Sequence, residues 1–380
     1  MNDIVYLDNN ATTKIDPRVL DAMMPYLTDE YANAASKHKF GTTVNEAVKK
    51  ARESVAELIG AETNEIIFTA SATEAINLAI KGVAEAYVYK GNHIITVQTE
   101  HRAVLDVCKY LETRGFEIDY LPVEKDGLLN LELLKKALRT DTILVSVMFV
   151  NNEIGVIQPI EEITDIVHAN GSLFMSDATQ AVGKIPIKVK DLGIDLMSFS
   201  GHKFYGPKGV GGLYVNNKVK ISPLIHGGGH ELGLRSGTLN VNGIVGLGTA
   251  SEIALNEMNI NEITIRELRD KLENDLLINI DATVNGNIIA RLYNVTNICF
   301  DEIDADVIMN CLGEITVSNG SACTSITFEP SHVLIALGLD NKKAFSSIRF
   351  SLGKYNTYND IQTTIKSLTN LIKSLTKTVP

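Results

Sequence analysis

Ser198-Phe-Ser-Gly-His-Lys-Phe-Tyr-Gly-Pro-Lys-Gly209 is the stretch on which the fold turns. The apolar run before it, Ile194-Asp-Leu-Met-Ser-Phe199, reads as a buried strand, so Ser200, Gly201, His202 and Lys203 fall where that strand ends. Open α/β sheets collect their ligands at the carboxyl ends of strands. Gly201, Gly206 and Gly209 let the backbone turn tightly and approach a ligand. Ser200 and His202 offer hydrogen bonds to an anion, and Lys203 presents an amine. A desolvated lysine that loses its proton forms a Schiff base with an aldehyde. A glycine-rich turn with a solvated lysine would look the same, so the decision rests on the other strand ends.

Outward from this loop, strands alternate with helices. Glu65–Thr69, His93–Val97, 117–122, 143–150, 172–176 and 194–199 read as strands, separated by helices at about Asn45–Ile59, 74–81, 103–113, 131–138 and 160–168. That alternation predicts an α/β fold with a mostly parallel sheet covered on both faces. Val210-Gly-Gly-Leu-Tyr-Val-Asn-Asn217 reads as a strand ending in a hairpin turn, an antiparallel edge. Beyond about 255 a long helix (261–277) leads into shorter strands at Asn294–Phe300, Glu314–Val317 and Ser347–Ser351, with helices near 304–312, 331–338 and 359–376. This second region reads as a smaller α+β domain.

The chain has 380 residues, 45% hydrophobic and 21% charged, with a net charge of −11. The acidic balance argues against direct nucleic-acid binding and against a basic membrane-surface role. There is no apolar run of about 18 residues and no leader pattern at the N-terminus, so a cytoplasmic protein is expected. Cys108, Cys299, Cys311 and Cys323 are scattered and should be free thiols.

The other strand ends carry their own chemistry. Phe68-Thr-Ala-Ser-Ala-Thr-Glu74 joins a strand to a helix, with Ser71 and Glu74 at capping-box spacing. The small Ala72, the Thr73 hydroxyl and a helix N-terminus suit a phosphate, although an ordinary capped helix has the same pattern. Asp177 ends the strand before Ala-Thr-Gln180. A carboxylate there can pair with a protonated ring nitrogen, with Gln180 in reach of a ring substituent; a helix-capping aspartate is the plainer alternative. His101 ends the strand at Thr99-Glu-His101, where an imidazole can stack on a flat ring and move protons. Asn152 supplies an uncharged donor. His226-Gly-Gly-Gly-His230 is too flexible to preorganise a metal, and Arg235-Ser-Gly-Thr238 offers a cation and a hydroxyl to an anion. Val317-Ser-Asn-Gly-Ser-Ala-Cys323-Thr-Ser325 is a small-residue loop whose accessible thiol can be a nucleophile, whereas Cys299 and Cys311 are expected in the core. Arg349 lies in a strand, where its planar guanidinium suits a substrate carboxylate. Lysine, aspartate, phosphate cradle, stacking histidine, arginine and mobile thiol together form a kit for pyridoxal phosphate.

With these residues in view, the chain resembles the NifS/IscS-type cysteine desulfurases from Tyr6-Leu-Asp-Asn-Asn-Ala-Thr-Thr13 to Ser346–Gly353. The most specific stretches are Ser198–Gly209, His226–Thr238 and Ser318-Asn-Gly-Ser-Ala-Cys-Thr-Ser325 with Glu329-Pro-Ser331. The resemblance implies a fold-type-I pyridoxal 5′-phosphate enzyme with a seven-stranded sheet. It implies a large domain over 14–255 and a small one made of 1–13 and 256–380, in a homodimer with the site between subunits. It implies that L-cysteine loses its sulfur to Cys323, giving L-alanine and a persulfide for an iron–sulfur cluster scaffold or tRNA thiolation. Lys203 would carry the cofactor covalently, Asp177 would pair with its ring nitrogen, and His101 would stack on the ring and assist proton transfer. Gln180 and Asn152 would lie near the ring hydroxyl. Ala72, Thr73, Ser200 and His202 would hold the phosphate, with Thr238 from the other subunit, and Arg349 and Asn152 would bind the substrate carboxylate. No resident metal is expected, apart from a cluster that Cys323 would share transiently with a scaffold protein.

Three departures from that family stand out. Ala70-Ser71 replaces the usual Ser-Gly beside the phosphate, and Ser71 is expected to keep the helix cap. Tyr31–Ser36 lacks the proline common in that loop. The extended C-terminal tail that some relatives use for docking is missing. The competing readings are an aminotransferase, a selenocysteine lyase, and a non-catalytic sulfur-carrier platform.

Overall fold

The computed structural model describes residues 4–301, 303–319 and 329–376. In chain order the strands are β1 (Val5–Tyr6), β2 (Ile66–Thr69), β3 (His93–Val97), β4 (Glu117–Leu121), β5 (Thr142–Ser146) and β6 (Leu173–Asp177). There follow β7 (Leu196–Ser200), β8 (Gly211–Val215), β9 (Thr283–Val284), β10 (Val295–Cys299), β11 (Ile315–Thr316) and β12 (Ser347–Ser351). Seven of them make one sheet in the order β2-β8-β7-β6-β5-β3-β4. Only β8 runs against its neighbours, and the pairs from β7 through β4 are all parallel.

Residue type explains the layering. Strands β3, β5 and β7 are buried at every position, as a parallel sheet covered on both faces requires. Alternate side chains feed two cores: Phe68, Ile95, Phe174 and Phe199 enter one, Ile67, Ile94, Met175 and Leu196 the other. Outer strand β4 instead alternates, with Glu117 and Asp119 facing outward. Charge on an edge strand discourages pairing with another chain.

Two sequence expectations need correction. Strand β8 is antiparallel but interior, between β2 and β7, and no hairpin follows it. Asn216 N–H donates to Asp195 O and Asn217 N–H to the Glu65 carboxylate, tying the chain off the sheet. Glycines let so small a strand sit inside: a Cβ at Gly212 would lie 2.3 Å from the Phe199 ring, and one at Gly211 would lie 3.1 Å from Ala72 N. The long helix also starts 20 residues early, running Val241–Asn279 straight through position 255. Its first half holds Gly243, Gly246 and Gly248, poor helix formers. Contact overrides propensity there. A Cβ at Gly248 would come within 2.5 Å of Ala51 Cα on the Lys39–Ile59 helix, so only a bare backbone allows that approach.

Other bounds shift less. The helix expected at 74–81 spans Ala72–Tyr87, and the strand expected to reach 150 ends at Ser146. Beyond it, Val147 and Phe149 still donate to Met175 O and Asp177 O, so the chain follows β6 toward the site. Outside the large sheet, β1 pairs in parallel with β11, and β10 lies antiparallel between β12 and β9. Asn9 N–H then donates to Ser351 O, which fastens the N-terminal turn to β12.

Candidate active site

Because β3, β5, β6 and β7 are parallel, their carboxyl ends share one edge of the sheet. Asp177 ends β6, and His101, Asn152 and Lys203 follow β3, β5 and β7. With Ala72 and Thr73 after β2 they open on a single cavity of about 400 Å³, which Gln180, Ser200, His202 and Arg349 also line. Ten of the predicted site residues therefore meet in one place. Thr238 is exposed and does not line this cavity, and Cys323 lies outside the described residues.

Lys203 closes a single 3-10 turn that follows β7 directly. Its Nζ donates to Asn10 O at 2.7 Å and to Ala11 O at 2.8 Å. Two residues on, Tyr205 adopts φ 68°, a left-handed conformation that a bulky residue rarely takes. Contacts hold it there: Tyr205 N–H donates to Thr13 Oγ1, its carbonyl accepts from Asp16 N–H, and its hydroxyl accepts from Lys354 N–H. Local strain of this kind persists only where the surroundings over-determine it.

Asp177 is buried, and its Oδ1 accepts from Thr179 N–H at 3.0 Å and from Ser198 Oγ at 3.4 Å. Behind it stands Glu100, fully buried, whose carboxyl is pushed well above the usual range by desolvation and then by Asp177. His101 caps the Arg102–Glu112 helix, its Nδ1 accepting from Ala103 N–H at 3.1 Å. Burial lowers its pKa despite the opposing pull of Asp177. The neutral ring thus carries its proton on Nε2 and presents a donor. His202 contacts Thr12 Oγ1 through Nδ1 at 3.0 Å and is pushed down to about 4 by burial, then by Lys203, Lys208 and Lys184. It too is neutral near pH 7.

At the far end, Ser71 keeps the helix cap as expected, accepting from Glu74 N–H at 3.2 Å. The Glu74 carboxylate reaches back to Ala70 N–H. The first-turn N–H groups of Ala72 and Thr73 have no intrahelical acceptor and suit an anion. Arg235 is a correction: its Nε donates to Glu74 Oε1 at 2.7 Å, so the guanidinium is engaged by a carboxylate rather than offered to the anion.

Arg349, on β12, is buried. Its Nη2 donates to Asp8 Oδ1 at 2.6 Å and its Nη1 to Asn152 O at 3.0 Å, while Nε is buried with no hydrogen-bond partner among the described residues. Cysteine burial divides otherwise than expected: Cys299 is buried but Cys311 is exposed. Burial, then Glu100 and Glu112, pushes the Cys108 thiol up to about 12, and burial raises Cys299, which makes both poor nucleophiles.

Sequence reasoning missed a hub. Asn10 O accepts from Lys203 Nζ and from Gln180 Nε2, Asn10 Nδ2 donates to Asn152 O, and Asn10 Oδ1 accepts from Asn294 Nδ2. The Asn9-Asn10 pair after β1 is the available signal. Buried Glu153 and Lys184 were missed as well; charged residues inside segments read as loop and turn gave no sign of burial.

An amine, a buried carboxylate, a helix N-terminus and a guanidinium lining one cavity fit a flat, phosphorylated pyridine ring. Lys203, Asp177, Gln180 and the Ala72–Thr73 turn could hold such a ring, leaving Arg349 for a carboxylate beside it. The aminotransferase class-V family pattern matches residues 5–364. The chain belongs to that family. The cysteine desulfurase IscS of Pasteurella multocida (strain Pm70) is 52% identical over 381 residues, covering 99% of this chain and 94% of the relative. A solved NifS-like protein superimposes with TM-score 0.93 at 42% identity, covering 98% of this chain and 100% of its own. The structure described as SspA in complex with cysteine matches with TM-score 0.81 at 37% identity, covering 93% and 99%.

Proposed function

We propose that the protein is a cysteine desulfurase that converts L-cysteine to L-alanine and leaves the sulfur as a persulfide on Cys323. The observation that carries this reading is that Lys203 and Asp177, from the ends of adjacent strands, line one cavity together with Arg349. The cofactor is pyridoxal 5′-phosphate, which when bound supplies an electron sink for the charge left as substrate bonds break.

The chain's own residues do the rest. Asn10 O and Ala11 O hold the Lys203 amine at the mouth of the ring site whenever it is not bonded there. Asp177 would pair with the cofactor's ring nitrogen and favour its protonated form. Arg349, which lines the cavity, orients the substrate carboxylate. His101, which lines the cavity, can take up and return a proton during the reaction, including the one alanine needs at its new methyl group. The overall exchange balances: one cysteine and one thiol give one alanine and one hydropersulfide. The Cβ–S bond of the substrate breaks and an S–S bond to Cys323 forms, without any outside oxidant or reductant.

The protein acts as a homodimer in which Thr238, exposed in the isolated chain, reaches the partner's phosphate site. The IscS relatives support iron–sulfur cluster assembly as the destination of the sulfur, through a scaffold protein or another thiol acceptor. The test is to feed L-cysteine without any keto acid, measure alanine, and weigh the Cys323 peptide. Alanine with one added sulfur atom is expected. Alanine release that requires a keto acid and leaves Cys323 unmodified would replace this reading with an aminotransferase.

A further inference from the structure

Lys184 has no part in the chemistry above, yet it is buried directly behind the site. It sits in the turn after β6, and its Nζ donates to Gln180 Oε1 at 2.8 Å. Among the described residues no carboxylate pairs with it, and the charges that face it, Lys203 and Arg349, are both positive. An isolated buried ammonium is costly, and burial, then Lys203 and Arg349, push this amine down to about 7. A substitution-tolerant structural position would carry an apolar side chain here.

What the amine does is fix an amide. Gln180 lines the cavity and has one carbonyl and one NH₂ group to distribute. With the Lys184 amine donating on one side, Oε1 must face it. Nε2 is then turned toward Asn10 O, to which it donates at 2.9 Å, and its second hydrogen is left for the cavity. Asn10 O does not accommodate the flipped amide, in which it would meet a carbonyl.

We infer that Lys184 is a positioning residue for the cofactor: by locking the Gln180 amide it presents an N–H donor at that wall and selects an ionised oxygen substituent on the bound ring. This rests on the pyridoxal phosphate reading given above.

The test compares wild type with Lys184→Met, which removes the amine and cannot donate; Lys184→Leu serves should that variant not fold. Both are stripped and reloaded with pyridoxal 5′-phosphate. The readouts are the dissociation constant and the pH midpoint of the bound cofactor's visible absorbance. Loss of one hydrogen bond to a charged oxygen predicts about ten-fold weaker binding. Loss of a fixed donor facing the ring oxygen makes that oxygen more basic and predicts an upward shift of the midpoint. In a Gln180→Ala background the same lysine substitution should add almost nothing to the binding loss, because the lysine acts through that amide. Unchanged affinity and midpoint overturn the inference, as does a full additive loss in the Gln180→Ala background. Failure of wild type to take up the cofactor at all would instead overturn the functional reading beneath it.

Discussion

The Lys203 amine hydrogen-bonds the backbone carbonyl of Asn10, 193 residues away in the sequence, at 2.7 Å. The same carbonyl accepts from Gln180, so the N-terminal turn holds two walls of the cavity at once. Lys203→Ala is expected to abolish the visible absorbance of the reconstituted protein and to lower turnover by about a thousand-fold or more. Absorbance that survives this change would place the cofactor's attachment elsewhere.

Arg349 and Asp8 form the second long-range pairing, 341 positions apart. Removing one partner of a buried ion pair strands the other, which typically costs about 3–5 kcal/mol. Because Asp8 retains some exposure, Asp8→Asn should lower stability by roughly 3 kcal/mol, read as the midpoint of urea unfolding. KM for cysteine should rise as the guanidinium loses its orientation. A variant with unchanged unfolding and unchanged KM would show that the pair orders nothing.

Burial pushes the Glu153 carboxyl up to about 7 from an ordinary value of 4.5, although the Ser331 hydroxyl donates to it and Arg349 and Arg102 lower it. Between those two values the folded protein holds a proton that the unfolded chain has lost. Stability therefore falls as pH rises through that window, by at most roughly 3 kcal/mol. Glu153→Gln removes this contribution. Unfolding measured at about pH 5 and about pH 8 should differ less in the variant than in wild type. An equal difference in both would assign the pH dependence to another group.

The sheet and most of the site were legible because parallel strands leave long apolar runs that stop abruptly, and the residue after each stop faces the ligand edge. Lys203, Asp177 and His101 could be placed by that rule alone. Asn10, Asp8 and Lys184 could not, since their roles depend on contacts that cross the whole chain or reach behind the cavity wall. The Val241–Asn279 helix was half hidden for a related reason: its glycines make sense only against Ala51 of another helix. Cys311 was misplaced because residue type says nothing about which side of a short helix faces water, whereas Ile308 of the same helix is buried. The Arg235 guanidinium looked free until Glu74, 161 positions earlier, was seen to hold it.

Cys323 separates the desulfurase reading from its rivals. Among the described cysteines, Cys108 and Cys299 are buried with raised thiol pKa values and Cys311 lies outside the cavity lining, which leaves none suited to take a sulfur atom at the site. Cys323→Ser removes the acceptor thiol while leaving Lys203, Asp177 and the phosphate turn untouched. Cofactor absorbance and its perturbation by added cysteine should therefore persist, while alanine formation falls by at least about a hundred-fold, the scale expected when a required nucleophile is lost. An aminotransferase would lose nothing by this change, and a carrier without catalysis would show no perturbation by cysteine in either form. Full alanine formation in Cys323→Ser would remove this thiol from the reaction and with it the persulfide route.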